Sequence, residues 1–237
     1  MVKSKIIFKI TSVVFLSALF FAAIPAVQAN HETYRNSSHG PRFYFGGMGM
    51  INSMGGADFD GDAYLVGDTE YLFIPKIEGS LGFGALLGLR FNDSAALELN
   101  YIRSEHDSSH SDVIADANIG NTTFQMINFD VKVFLAPNNP VQPYLLLGFG
   151  IPWLDVERGA EEFVPPYYLG DATYAGTGLN LGGGLAVTLS PNLALNAGIT
   201  YRWIEYGIAE GIETSGELDD PLKSNVLSLN VGLIFTP

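Results

Sequence analysis

The sequence predicts an all-β fold: an eight-stranded antiparallel transmembrane β-barrel, an up-and-down meander with four long extracellular loops. Three observations carry this. From residue 41 onward, segments of about ten residues alternate apolar with small or polar side chains, the pattern of strands whose two faces meet different surroundings. The links between these segments are short and long by turns. Aromatic residues gather at both ends of the alternating stretches. Composition agrees, because 27 Gly and 12% aromatics beside only 16% charged residues suit a β-rich domain better than a helical one. A single unit of about 200 residues is the natural size for such a barrel.

The first element is a leader. Lys3, Lys5 and Lys9 precede an apolar run from Val13 to Ala26, and Ala26-Val27-Gln28-Ala29 supplies the small residues a signal peptidase needs. Residues 1–29 therefore read as a signal peptide cleaved after Ala29, residues 30–40 as a periplasmic N-terminal segment and residues 41–237 as the barrel domain. The apolar run is shorter than the roughly 20 residues of a spanning helix, and no comparable run follows it. Of 12 basic residues, those three go with the leader, leaving 9 against 25 acidic ones, a formal charge of −16. That balance excludes nucleic acid as a partner. Cysteine is absent, which removes disulfides, thiolate metal sites and thiol nucleophiles.

The strands follow in order. Leu97, Leu99 and Tyr101 alternate with Glu98 and Asn100, and Ile127, Phe129, Val131 and Val133 with Asn128, Asp130 and Lys132. In Leu193 to Trp203 the odd positions are apolar, and Leu227, Leu229, Val231, Leu233 and Phe235 alternate with Ser228, Asn230, Gly232 and Ile234. Tight links fall at Asn92-Asp93, Asn138-Asn139-Pro140 and Ser190-Pro191-Asn192. Four long links, about 54 to 77, 104 to 121, 154 to 176 and 206 to 222, are rich in Asp, Glu, Gly and Ser. With an even strand number every short turn lies at one end and every long loop at the other, the layout of periplasmic turns and extracellular loops. An aromatic girdle is expected on the lipid face: Tyr101, Trp153, Tyr201 and Trp203 at the long-loop end, Phe43, Phe91 and Phe235 at the short-turn end.

The leader, the eight-strand layout, the segment Pro143-Tyr144-Leu145-Leu146-Leu147-Gly148-Phe149-Gly150 and the C-terminal alternation to Phe235 together resemble the OmpA/opacity-type outer-membrane β-barrel domain family over residues 41–237. The resemblance implies residence in the cell outer membrane of a Gram-negative cell. It implies contact with outer-membrane lipid and lipopolysaccharide, and dependence on the barrel-assembly machinery and periplasmic chaperones during biogenesis. The family's assembly signal usually ends on its aromatic residue; here Thr236 and Pro237 follow Phe235. No peptidoglycan-binding domain is expected after the barrel.

Parity points Arg90, Glu98, Asp130, Lys132 and Arg202 into the lumen, where the first four are expected to meet as a balanced charge network. Inward glycines such as Gly88, Gly148, Gly184 and Gly198 are expected to make room for Tyr144 and for the long Arg and Lys chains. In loop 1, Asp58-Phe59-Asp60-Gly61-Asp62 resembles the start of a calcium loop. Ala63 stands at the turn glycine's place and Thr69 where the bidentate acid belongs, so Asp58, Asp60 and Asp62 are metal candidates only beside the plainer reading of a solvated acidic loop. Loop 2 holds Ser104, His106, Asp107 and His110, but a contiguous loop stretch does not orient a triad. The spacing of His106 and His110 matches a metal pair only on a helix, which the Ser- and Asp-rich segment does not favour. No catalytic residue and no cofactor is expected. The functional expectation is a structural and surface-interaction scaffold displaying acidic loops to a surface ligand, with a narrow porin-like channel for small solutes as the alternative.

Overall fold

The computed structural model describes residues 40–56, 63–66, 70–73, 76–77, 79–109, 121–137, 139–157, 163–164, 167–168, 171–211 and 215–237. Eight long strands form the wall: β1 (Arg42–Gly55), β2 (Ser80–Arg90), β3 (Ala95–Ser109), β4 (Asn121–Phe134), β5 (Val141–Glu157), β6 (Ala172–Ser190), β7 (Leu193–Glu210) and β8 (Ser215–Phe235). Each pairs antiparallel with the next. β1 also pairs with β8 from Phe45↔Phe235 to Gly55↔Asn225, which closes the sheet. Closure matters because an open edge in lipid would leave a row of unbonded N–H and C=O groups, each costing several kcal/mol by general estimates.

The short turns are built by local chemistry. The Asn92 side chain accepts from the amides of Ser94 (2.8 Å) and Ala95 (2.9 Å), which tightens the β2–β3 turn. Neighbouring ends are tied by backbone bonds from Phe134 to Ser94, Thr188 to Pro140 and Thr236 to Asn192. At the other end the strands run further than alternation alone suggested. β3 continues through 104–109, and the fourth link shrinks to residues 211–214 because β7 and β8 extend as a hairpin. The pairing skips at Gly207, between Tyr206 and Ile208, so parity inverts there: Ala209 turns inward and Ile208 outward. Acidic side chains on the outer face of an extended hairpin look like loop composition, which is why this stretch read as a link. Short strands from the first and third loops (63–66, 70–73, 163–164, 167–168) join β8 through Val66↔Leu218. Pro152 has no N–H to donate, and the β5–β6 ladder skips from Ala175↔Trp153 to Gly178↔Gly150 beside it.

The bore is layered. Near the short turns Tyr44, Leu86, Ala96, Phe134, Tyr144 and Leu146 pack together. Above them lies a polar layer containing Glu98, Asn100, Asn128, Asp130, Lys132, Asn180 and Arg202, all buried. Above that an apolar core fills the long-loop half, from Met50, Ile102, Phe124 and Met126 to Tyr174, Tyr206 and Leu222. Glycines admit the large groups. A Cβ on Gly88 would overlap the Tyr44 ring, one on Gly148 would overlap the Asp130 carboxylate, and ones on Gly184 and Gly198 would crowd the Tyr144 hydroxyl. Gly88→Ala is therefore expected to lower stability by about 1 to 3 kcal/mol, the usual cost of overpacking. With Tyr44→Ala already present the same change should cost close to nothing. Urea unfolding of the four chains of this cycle checks it, and strictly additive losses would contradict the fit of ring to glycine.

Candidate functional site: the lumen and its two faces

Glu98 and Asp130 stand directly opposite each other on β3 and β4, an arrangement that two like charges disfavour. The structure resolves it by giving them different partners. Lys132, diagonal to Glu98, binds it at 2.8 Å, with its ammonium 4.5 Å above the Tyr144 ring, and the Tyr44 hydroxyl donates to the same Glu98 oxygen at 2.8 Å. Asp130 instead accepts from the amides of Asn100 (2.7 Å) and Asn180 (2.8 Å), while Asn128 donates to Asn100 (2.9 Å) and accepts from Asn180 (2.9 Å). The expected four-membered charge network is thus corrected. Arg90 lies at the short-turn mouth, donates to the carbonyls of Asn92 and Asp93 and to Gln142, and stacks over Phe134. Its level in β2 puts the turn carbonyls, not Glu98, within its reach.

Arg202 starts a separate chain. Its guanidinium donates to Ser228, Ser228 donates to Asn52, Asn52 donates to Ser104 (2.9 Å), and Ser104 meets His106 Nε2 at 2.8 Å. No carboxylate among the described residues is within salt-bridge distance of Arg202. Ser104 and His106, expected in a loop, sit instead on the inner face of β3, which brings them together as neighbours two apart on one side of a strand. Both are buried in the bore, so this hydroxyl–imidazole pair has no approach for a substrate. The strand conformation of 104–109 also removes the helical premise for a His106/His110 metal pair. Among the described residues no group of three or more His, Asp or Glu could hold a metal ion. His110, the candidates Asp58, Asp60 and Asp62, and the cleavage residue Ala29 lie outside the described residues.

The inward asparagines and serines were not singled out from sequence. Their signal is present, since Asn100, Asn128, Asn180 and Ser228 share the parity of the inward charges, but an uncharged polar side chain on that face carries no charge that demands a partner.

On the outer face Phe43, Phe45, Leu87, Leu145, Ile199 and Leu229 are exposed, as are Trp203 and Phe235; Phe91, Tyr101, Trp153 and Tyr201 are half-buried. The rings of Tyr201 and Trp203 meet at 4.5 Å, edge to face, and Phe45 meets Phe235 at 5.4 Å. Leu145 to Trp153, Leu195 to Trp203 and Leu227 to Phe235 each span the roughly nine residues that a tilted strand needs to cross the hydrocarbon. Just above this band the outer wall turns polar. Tyr101 donates to Gln125 (2.6 Å), Gln125 and Thr173 donate to Asp155 (3.0 and 2.9 Å), and Arg103 pairs with Glu105 (2.9 Å). At that same level apolar side chains take over most of the inner face, with Asn52, Ser104, His106 and Thr122 as its buried polar members. Such a double inversion is what a strand does when its outer surroundings change from lipid to water.

A family model described as "Outer membrane protein beta-barrel domain" matches residues 14–235. Among solved structures the chain is similar to Neisserial surface protein A (16% identity, 84% of this chain and 100% of that one, TM-score 0.54). It is also similar to the outer membrane protein OprG from Pseudomonas aeruginosa (14% identity, 85% of this chain and 98% of that one, TM-score 0.52). At these identities the likeness is one of fold alone. No curated protein matches the chain in sequence.

The Glu98–Lys132 pair generates a test. Glu98→Ala leaves a buried ammonium without its anion, and such a loss typically costs about 3 to 5 kcal/mol. The double change Glu98→Leu with Lys132→Met should recover most of it. Urea titration of the folded barrel measures both, and a loss below about 1 kcal/mol for Glu98→Ala would contradict the pairing.

Proposed function

The chain belongs to the outer membrane protein β-barrel domain family and resides in the outer membrane; from that premise we propose that it is a non-catalytic scaffold that anchors a rigid, strongly acidic surface at the cell exterior. The observation that carries this reading is the distribution of charge along the barrel axis. Of the 25 acidic residues, 21 lie in 54–79, 103–123, 154–176 and 205–223, against 4 of the 12 basic ones, so this end bears a formal charge of −17. A field of that sign steers cationic partners and repels anionic ones. Rigidity supports the same reading: β7 and β8 carry their pairing well past the aromatic belt, over an interior of fully buried Tyr174, Tyr206, Leu222 and Val226. A long-lived surface contact benefits from such a platform because little ordering is left to be done on binding.

The narrow-channel alternative finds less support. An eight-stranded bore is only wide enough for its own side chains, and here the long-loop half is packed with apolar ones. The leader cleaved after Ala29, the periplasmic segment 30–40 and passage through the barrel-assembly machinery belong to this same proposal, as does contact with lipopolysaccharide through the outer rim.

Cells expressing the chain are expected to retain cationic beads severalfold better than vector controls. Changing Asp58, Asp60, Asp62 and Asp68 to Asn should cut that gain about twofold or more. An epitope inserted after Asp112, read on intact cells, verifies equal display. Retention that ignores the four changes at equal display would sink the proposal.

A further inference from the structure

Two complementary polar atoms are left without a partner side by side in the polar layer of the bore. Asn180 on β6 and Arg202 on β7 stand directly opposite each other, and both are buried on the inner face. The Asn180 carbonyl oxygen has no donor, and the Arg202 Nε–H has no acceptor. Neither atom has surface open to a water molecule, so the partner that a buried polar group requires must come from the chain itself.

What these two atoms would join is already bonded on either side. The Asn180 amide donates to Asp130 (2.8 Å), which also accepts from Asn100 on β3 (2.7 Å). From Arg202 the bonds run on through Ser228 and Asn52 to Ser104, again on β3. The first series passes over β5 and the second over β2, and at each crossing the intervening strand supplies a glycine. A Cβ on Gly148 would overlap the Asp130 carboxylate, and one on Gly82 would crowd Ser104. The two series thus leave β3 at Asn100 and return to its same face at Ser104, a circuit of the bore with one joint unmade.

Charge calls for the same joint. Lys132 holds Glu98, which leaves Asp130 and Arg202 as the buried charges of the polar layer without an ion partner among the described residues, and each acts on the other electrostatically. A buried guanidinium with no anion is far costlier than an unmade amide bond. We infer that the Arg202 Nε–H closes onto the Asn180 carbonyl oxygen, completing a polar strap around the bore in which the Asn180 amide relays the charge of Asp130 to Arg202. A side-chain rotation suffices, since directly opposite residues carry Cβ atoms about 5 Å apart. The closed strap ties β4 to β6 and β7 across the bore and holds the wall round at the foot of the apolar core. It is independent of the acidic surface.

Moving the charge tests the relay, with urea unfolding of the barrel purified from membranes of expressing cells as the readout. Asp130→Asn takes the countercharge from Arg202 and is expected to lower the folding equilibrium constant about a hundredfold or more. Adding Asn180→Asp puts a carboxylate directly opposite Arg202 and should recover about tenfold or more of that loss. With Arg202→Met also present, the same addition should recover nothing. Where Asp130→Asn alone does not fold, folding of the double variant is itself the recovery. The joint is read separately, by NMR of the isotope-labelled barrel in detergent micelles. Asn180→Leu should move the Arg202 Nε–H resonance upfield and leave that of Arg103, on the outer wall, in place. A smaller recovery, a double variant that does not fold, or a recovery that survives Arg202→Met would overturn the relay. An Arg202 resonance that ignores Asn180→Leu would overturn the joint.

Discussion

Everything in this barrel depends on the width of its bore. Closing eight strands leaves an interior that side chains must fill themselves, and no strand can open without stranding backbone groups in lipid. The inner face is therefore written as pairs of large and absent side chains. The Tyr44 ring occupies the place of a Gly88 side chain, the Asp130 carboxylate that of Gly148, and the Tyr144 hydroxyl that of Gly184 and Gly198. Once those groups are seated, the polar layer follows. Glu98 and Asp130 are forced side by side by the strand register, and their separate partners, a lysine for one and asparagines for the other, are what make the juxtaposition tolerable.

The change of surroundings along the barrel axis explains the rest. Within the aromatic belt the wall is apolar outside and holds the buried charges and asparagines inside, over a small apolar cluster at the short turns; above it, the outside is acidic and the inside mainly apolar. The upper part is in effect a water-facing β-structure with its own hydrophobic core, continuous with the membrane part. The same packing that stiffens the acidic surface also closes the bore to solutes.

Much of this was legible in the sequence. A period of two fixes which residues share a face, so the lumen positions of Glu98, Asp130, Lys132 and Arg202 and the outward Phe43, Trp203 and Phe235 follow from parity alone. Closure and the eight-strand meander followed from the unequal links. Where the strands end did not follow, because Glu205, Glu210 and Glu217 on a water-facing strand have the composition of a loop. Parity is also silent on level: Arg90 shares a face with Glu98 but reaches only the turn carbonyls. Nor does it say which polar neighbours meet, so the Ser104–His106 pair and the asparagine ladder around Asp130 emerged only with the register.

The most direct test of a bore closed by its own apolar core is ion conductance of the folded chain in planar bilayers at neutral pH, with and without millimolar calcium. The structure predicts a silent membrane under both conditions. Steady, discrete openings would contradict it, because they would require a continuous aqueous path through the layer that Phe124, Met126, Tyr174 and Tyr206 fill.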